Sequence, residues 1–272
     1  MSQRRSETHE DTMYASRILC AILFSAVTMS AQREQRALTM EDTVDVIDHA
    51  RFDSLWHGSL RQGALITDGI HSNAYTWYRQ AVAEAYPTMY HPNAQLAFWV
   101  NAYLSCLWEV MHLRVGYRST VWDSAFFRRD TFRVAERTHT LQTLRDTIVG
   151  CVRDVRASIF LATGSTHDPP FPSHVCFAKT VRQNMRDLLR RVCRSERFVF
   201  YDPAGNVLQL SSFFKPLAER MRAEAGSEVQ WVLPYVTEQT AALLALHRSS
   251  VRVIVGDRIE KWKRVRRREP RR

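Results

Sequence analysis

The amino-acid sequence predicts an α+β fold: a predominantly helical single domain with a central buried helix and a small antiparallel sheet or hairpin. Residues 95–110 (QLAFWVNAYLSCLWEV) are apolar on almost every side, as in a helix surrounded by the core. Residues 198–210 show a hairpin pattern around the turn sequence Asp202-Pro203-Ala204-Gly205. Helical and strand patterns are mixed without the regular β-α-β order of a doubly wound sheet, which favours α+β.

Helical patterns dominate the first half of the chain. A helix is predicted to begin at Thr39, whose hydroxyl can cap free amides, and a second covers about 53–63. A third is capped by Ser72 or Asn73 and ends before Pro87, because proline cannot continue a helix. The central helix follows, and each of its large side chains stabilises the fold by roughly 1.5–3 kcal/mol when buried.

Shorter elements are predicted in the second half. Apolar residues recur at helical spacing between 175 and 194, which indicates an amphipathic helix. In the hairpin, Pro203 sets the second residue of the turn and Gly205 supplies a permissive dihedral angle. The other predicted elements are a strand at 131–134, a helix at 141–149 capped by Thr140, a buried strand at 159–161, a proline-rich loop at 168–172, helices at 213–224 and 237–246, and a strand at 251–255.

Length and composition favour one domain with appendages. The chain has 272 residues and 45% apolar content, which suits a single hydrophobic core in a soluble protein. We assign the domain to residues 32–260, behind a hydrophobic leader at 1–31 and ahead of a basic disordered tail at 261–272. The sequence contains neither a membrane-length apolar run nor an internal repeat.

The net charge of +10 is concentrated in the tail. Residues 261–272 hold eight Lys or Arg against one Glu, and the leader is neutral, so the body retains only +3. A body of that charge gives no indication of sequence-specific nucleic-acid binding. The tail is either a solvated charge run or a weak contact for anionic lipid or nucleic acid; other partners are unknown from the sequence.

The leader resembles a secretory signal peptide. Its apolar run at 18–27 follows Arg17 and precedes the small or polar residues Thr28, Ser30 and Ala31. This interpretation predicts the secretory pathway or the extracellular space. The alternative is an amphipathic or buried N-terminal helix in a cytoplasmic protein.

The cysteines indicate no metal or redox motif. If the leader with Cys20 is removed, Cys106, Cys151, Cys176 and Cys193 remain, and none forms a C-x-x-C pair. Buried free thiols are favoured, with one or two disulfides as the alternative in an exported protein. We predict no cofactor and no metal.

The segment Phe98-Trp99-Val100-Asn101-Ala102-Tyr103 resembles the AFWINAYNA helix of the domain-of-unknown-function 547 family (DUF 547). Later family segments recur in the same order, over about residues 47–262. The resemblance implies one DUF 547-like domain and brings no established activity with it. The corresponding segments are Thr140-Leu141 for LDDIEHGILR, Asp154-Val155-Arg156 for DPR, Gly164 for ALNCG, Pro169-Pro170 for SCPPL, Leu210-Ser211-Ser212-Phe213-Phe214 for LSKIF and Trp231-Val232-Leu233-Pro234-Tyr235 for FLxPY.

The reactive residues of the family pattern are replaced in this chain. The family's Glu-His pair is Arg145-Asp146, the histidine of RIHF is Ser158, the NC pair is Ala162-Thr163, and the SC pair is His167-Asp168. A threonine hydroxyl reacts only beside a positioned base, and none is evident here. Asp146, Ser158, Thr163 and Asp168 therefore mark a degenerate active site, and the chain is interpreted as a non-catalytic binding or scaffold protein.

The alternative interpretation is a divergent thiol- or metal-dependent hydrolase or transferase. His167, Asp168, His174 and Cys176 lie around the proline-rich loop, where they can ligate zinc or form a Cys-His pair. Their spacing matches no metal signature, and polar loops often collect such groups by chance. Asp168 and His174 are better candidates than Cys176, which can face the core.

Two further polar residues are candidate binding residues. Asn101 lies in an apolar helix, where its amide must find hydrogen-bond partners. A structural bond to neighbouring backbone is favoured over substrate binding. Arg156 can pair with a buried carboxylate, and ligand binding is the second possibility.

Overall fold

The computed structural model describes residues 43–61, 64, 65, 68–114, 126–152, 154–164, 168–247 and 250–256. The predicted leader at 1–31, the helix start at Thr39, the tail at 261–272 and His167 lie outside these residues. Across the described part, the order of short strands and longer helices is that of a mostly helical α+β domain. None of the described helices is long and apolar enough to cross a membrane.

The core is organised around the central helix α3, Pro92–Arg114. Every residue from 96 to 108 is buried, so this helix has neighbours on all sides over more than three turns. It extends three residues before the predicted start because proline is favoured in a first helical turn, where its missing N–H has no partner to lose. The expectation of a central buried helix is confirmed.

Two helices precede it, α1 (Ala50–Ser59) and α2 (Asn73–Glu84). Ser72 caps α2 as predicted, with its hydroxyl accepting from the Tyr75 N–H at 3.2 Å. The predicted start of α1 at residue 53 is wrong, because Asp48 accepts from the Ala50 N–H at 2.9 Å and begins the helix earlier. Short strands β1 (Leu60–Arg61) and β2 (Ala64–Leu65) pair after α1, and 3₁₀ helices cover Asp68–His71 and Pro87–Met89.

After α3 come α4 (Phe126–Arg129), the hairpin β3 (Thr131–Val134) and β4 (Arg137–Thr140), and α5 (Leu141–Val152). The hairpin turn, Ala135-Glu136, has positive φ at both residues, which matches the twist of a tight two-residue turn. Thr140 caps α5 as predicted: its hydroxyl accepts from the Thr143 N–H at 3.1 Å, and Thr143 Oγ1 accepts from the Thr140 N–H at 2.8 Å.

The predicted strand at 159–161 is wrong. Residues Val155–Phe160 form a 3₁₀ helix instead. Asp154 caps it, with Oδ1 accepting from the Arg156 N–H at 2.9 Å. An aspartate before a helical turn accepts hydrogen bonds from the free N–H groups at its start, whereas in a strand those groups would donate to an adjacent strand.

The amphipathic helix α6 spans Val181–Cys193, so its predicted start at residue 175 is wrong by six residues. Residues 175–178 are held in a non-helical path by side chains from distant segments. Val175 N–H donates to Asp53 Oδ1 at 2.9 Å, and Ala178 N–H donates to Asp45 Oδ1. These acceptors replace the carbonyl groups that a helix would use.

The predicted hairpin is confirmed as β5 (Val199–Asp202) paired antiparallel with β6 (Val207–Leu210). β7 (Arg252–Val255) adds parallel to β6, which makes a three-stranded mixed sheet in the order β5-β6-β7. The left-handed residue of the turn is Asn206, at φ 47°, rather than Gly205.

The rest of the C-terminal region is helical. The predicted helix at 213–224 divides into a 3₁₀ helix (Ser212–Leu217) and α7 (Ala218–Ala225), since Pro216 cannot donate to a continuous α-helical ladder. α8 (Glu228–Val232) and α9 (Glu238–Leu246) follow. The Thr237 hydroxyl caps α9 by accepting from the Thr240 N–H at 3.3 Å.

Candidate functional site

Asn101 joins the central helix to the segment that follows the proline-rich loop. Its Nδ2 donates to the Cys176 carbonyl oxygen at 2.6 Å, and its Oδ1 accepts from the Cys176 N–H at 2.8 Å. The side chain is fully buried. The expected hydrogen bonding of this amide to backbone is therefore present, with one bond at Nδ2 and one at Oδ1.

The thiol of Cys176 is also buried, and burial raises its pKa, with smaller contributions from the carboxylates of Asp45 and Asp53. Burial likewise raises the pKa of Cys106 to about 11 and that of Cys193 to about 12. All three are free cysteines; the side chain of Cys151 is not described. A thiol becomes a nucleophile only as thiolate, so these environments oppose thiol chemistry.

Thr163 and Asp168 contact each other; they are two of the four positions that the DUF 547 resemblance suggested. Asp168 Oδ2 accepts from the Thr163 N–H at 2.7 Å and also from the Thr163 hydroxyl. The sequence suggested no base for this hydroxyl, and the structure places a carboxylate on it. A carboxylate is usually a much weaker base than the imidazole that activates hydroxyl nucleophiles, and here one of its oxygens binds the loop backbone as well.

Asp146 and Ser158, the other two positions that the resemblance suggested, differ in solvent exposure. Asp146 is exposed on α5, where it accepts from Gln142 Nε2 at 3.0 Å. Ser158 is buried, and its hydroxyl has no hydrogen-bond partner among the described residues. A base in solvent and a hydroxyl inside the core do not form a reactive pair.

Arg156 belongs to a partly buried charge network centred on Asp154. Its Nε and Nη2 donate to the Asp154 carboxylate at 2.9–3.1 Å. Arg182 Nη1 donates to the same carboxylate at 3.0 Å, and its Nε donates to Asn93 Oδ1 at 2.9 Å. The network connects the 3₁₀ helix to α6 and α3. Asp154 is thus the buried carboxylate that was predicted to pair with Arg156, and the pair has a structural role.

His174 forms a surface pair with Asp53. Its Nδ1 lies 3.2 Å from Asp53 Oδ2, and its ring stacks on that of His57 with 4.5 Å between centroids. A carboxylate that orients an imidazole is half of the arrangement used in general-base catalysis. Neither Cys176 nor Asp168 is among its partners, and nowhere in the described part of the chain do three His, Cys, Asp or Glu converge as metal ligands.

The sequence analysis missed two concave surfaces. A wide groove of about 650 Å³ beside the end of α6 is lined by Arg190, Arg191 and Arg194, whose exposed charges are readily hydrated. A smaller cleft between α2 and α3 contains Arg79 and Glu109. No motif marks either surface, because its residues come from segments that meet only in the folded chain.

Of the family-motif positions, only Thr163 and Asp168 are brought together by the contacts described above. Asp146, Ser158, Asn101 and Arg156 each lie in a separate environment. Comparison with family models, curated proteins and solved structures found no match to this chain.

Proposed function

We propose that this protein is a non-catalytic binding or scaffold protein, built on a DUF 547-like scaffold from which the reactive side chains are missing. One observation carries the proposal. Cys176, the cysteine nearest the bend, has its backbone bound by Asn101 and its thiol enclosed in the core with a raised pKa. The residue best suited by type to covalent chemistry is thus used for packing.

A shared scaffold is supported by the way the central helix holds the bend. Tyr103 donates its hydroxyl to the Ala162 carbonyl at 3.1 Å, just before the bend. Two residues earlier on α3, Asn101 binds Cys176, after the bend. The two segments that carry the resemblance therefore belong to one core, as a common scaffold requires.

Loss of chemistry is supported by the positions that replace the family's Cys and His. Ser158 is enclosed, Asp146 is in solvent, and Thr163 donates to a carboxylate that also closes its own loop. Neither Asp146 nor Ser158 has an imidazole as a hydrogen-bond partner among the described residues. Acyl transfer from a hydroxyl usually requires such a base to accept its proton.

The test is turnover by the purified full-length chain against a panel of nitrophenyl esters and fluorogenic peptides. We expect no turnover above the buffer rate, and the same rate for Thr163→Val as for the unchanged protein. Thr180→Val is the matched control, since Thr180 is another partly exposed threonine with no carboxylate on its hydroxyl in the described contacts. Turnover that Thr163→Val abolishes and Thr180→Val preserves would overturn the proposal.

The Asp53–His174 pair favours one alternative, a divergent hydrolase or transferase that uses the His167–Cys176 loop. In that case His174 acts as the base, oriented by Asp53. His174→Ala would then abolish any turnover, and metal analysis or a fast-labelling thiol would reveal the partner group. Equal rates for His174→Ala and the unchanged protein, with no bound metal and no fast thiol, count against this alternative.

A further inference from the structure

A cleft of about 370 Å³ opens between α2, α3 and the 3₁₀ helix at Asp68–His71. Its volume is within the range of small-molecule sites, about 300–1,000 Å³. Rigid helices supply most of its walls, so the lining groups are held in place. The polar residues that line it are His71, Tyr75, Thr76, Arg79, Glu109 and His112.

Arg79 is the only lining residue of this set that is permanently cationic. Its side chain is 15% exposed, and Nε donates to Glu109 Oε2 at 3.4 Å. That is its single hydrogen bond with the described residues, although a guanidinium has five N–H groups. Its Nη1 is buried and unpaired within the described part of the chain.

Glu109 accepts from Nε, and Nη1 is enclosed, so Nη2 is the guanidinium nitrogen left for an acceptor in the cleft. The Phe132 ring lies 5.9 Å from the guanidinium carbon and restricts it further. A guanidinium N–H donates a strong, charge-assisted hydrogen bond to a carboxylate or a phosphate. Arg79 is thus oriented for an acceptor that the described protein groups do not provide.

Two imidazoles line the same cleft as this cation. The rings of His71 and His112 meet edge to face with 4.6 Å between centroids. Imidazole nitrogens donate to oxyanions, and they do so more strongly when protonated. Together with the guanidinium of Arg79, these imidazoles give the cleft several N–H donors for an oxyanion.

We propose that this cleft binds a small molecule through an oxyanion, a carboxylate or a phosphate, that Nη2 of Arg79 and the ring of His71 hold. The inference rests on the proposed binding role and names its ligand class. Glu109 acts as a positioning residue, since its carboxylate accepts from Nε of Arg79. Ile70 and the Tyr75 ring supply apolar wall for the rest of the molecule.

The experiment is calorimetric titration of the full-length protein with succinate and, separately, with inorganic phosphate, at constant ionic strength set by chloride. We expect saturable binding of at least one probe. Succinate alone would indicate a carboxylate ligand, and phosphate alone a phosphorylated one. Absence of saturable binding by both probes overturns the inference, while the turnover result stays a separate test of the proposed function.

Thr76 provides the decisive variants, because it is exposed at the cleft and lies in the first turn of α2, where an acidic residue suits the helix dipole. Thr76→Glu places a repelling carboxylate beside the ligand, and Thr76→Gln is the neutral control of equal size. We expect Arg79→Gln to weaken binding about tenfold or more, because one charge-assisted hydrogen bond is lost. We expect Thr76→Glu to weaken it by a similar factor through charge repulsion. Thr76→Gln and Arg190→Gln, which removes an arginine from the other groove, should bind normally. Equal affinity of the Glu and Gln variants would contradict the site even if Arg79→Gln failed to fold.

Discussion

The side-chain amide of Asn101 forms two hydrogen bonds with the backbone of Cys176: Nδ2 donates to the carbonyl oxygen at 2.6 Å, and Oδ1 accepts from the N–H at 2.8 Å. The two residues are 75 positions apart in the chain. Because the contact is buried, no water can replace it when one partner is lost. It joins the most buried helix to the path that leads into α6.

Asn101→Ala should lower the free energy of unfolding by about 2–4 kcal/mol, since it leaves a buried N–H and a buried carbonyl unpaired and opens a small cavity. Urea unfolding followed by circular dichroism measures the change. Asn73→Ala, at an exposed position at the start of α2, is the control and should change stability by less than about 0.5 kcal/mol. Similar losses for both variants would show that the Asn101–Cys176 hydrogen bonds do not contribute specifically to stability.

Asp154→Asn should destabilise the protein by about 3 kcal/mol, because two arginines lose a carboxylate that is only 8% exposed. The matched control is Asp187→Asn, which breaks the exposed Arg190–Asp187 pair on α6 and should cost less than about 0.5 kcal/mol. Thermal and urea unfolding both report the difference. If the two variants proved equally stable, the ion pairs of Asp154 would contribute no more to stability than the exposed Arg190–Asp187 pair.

His49 should make stability fall in mild acid. It is 1% exposed, its Nδ1 bonds to the Tyr78 hydroxyl at 3.0 Å, and burial lowers its pKa to about 4. In the unfolded chain it gains a proton near pH 6.5. Its contribution is therefore complete above that pH and is lost as the pH falls toward the folded value, by about 2 kcal/mol between about pH 7.5 and pH 5.

The check is the pH dependence of urea unfolding in His49→Phe, which keeps an aromatic ring and removes the proton. Over the same interval the variant should lose about 2 kcal/mol less than the unchanged protein. His91→Phe, at a residue with partial exposure, controls for the loss of any histidine. Parallel curves for His49→Phe and the unchanged protein would show that His49 does not titrate in the unfolding reaction.

Cys106, Cys176 and Cys193 should resist alkylation until the protein unfolds. Their thiol pKa values are raised in the folded state by burial, so the stability that depends on neutral thiols is complete below about pH 8.5. It is lost progressively as the pH rises above that value, because the unfolded chain ionises first. Peptide mapping after iodoacetamide treatment, native and in urea, separates these three from Cys20 and Cys151. Rapid native labelling of Cys176 would contradict its enclosed position.

Sequence patterns predicted the elements whose causes are local. α3 is recognisable because its apolar residues cover every side, the Ser72 cap because a hydroxyl precedes a helix, and the β5-β6 hairpin because its turn residues lie between apolar runs. The error at the start of α6 occurred where a distant side chain decides the backbone. The start of α6 is delayed because Asp53, 122 residues from Val175, takes the amide that a helix would use.

The same distinction applies to the candidate sites. The amide of Asn101 was recognisable as a group in need of partners, but its partner was not, since nothing in the neighbouring sequence indicates Cys176. Thr163 and Asp168 were identified separately, and their mutual contact was not predicted. The cleft residues Arg79 and Glu109 attracted no attention as single charges on two different helices.

The sequence by itself therefore determined the class of fold and the buried central helix, while the replacement of Cys and His that the DUF 547 resemblance implies stays a prediction. Only the tertiary structure decided which polar groups meet: Asn101 with Cys176, Asp53 with Val175, Arg79 with Glu109. The physical reason is range. Backbone propensity, capping and apolar periodicity act over a few residues, whereas a buried donor takes whichever acceptor the packed core places within about 3 Å of it.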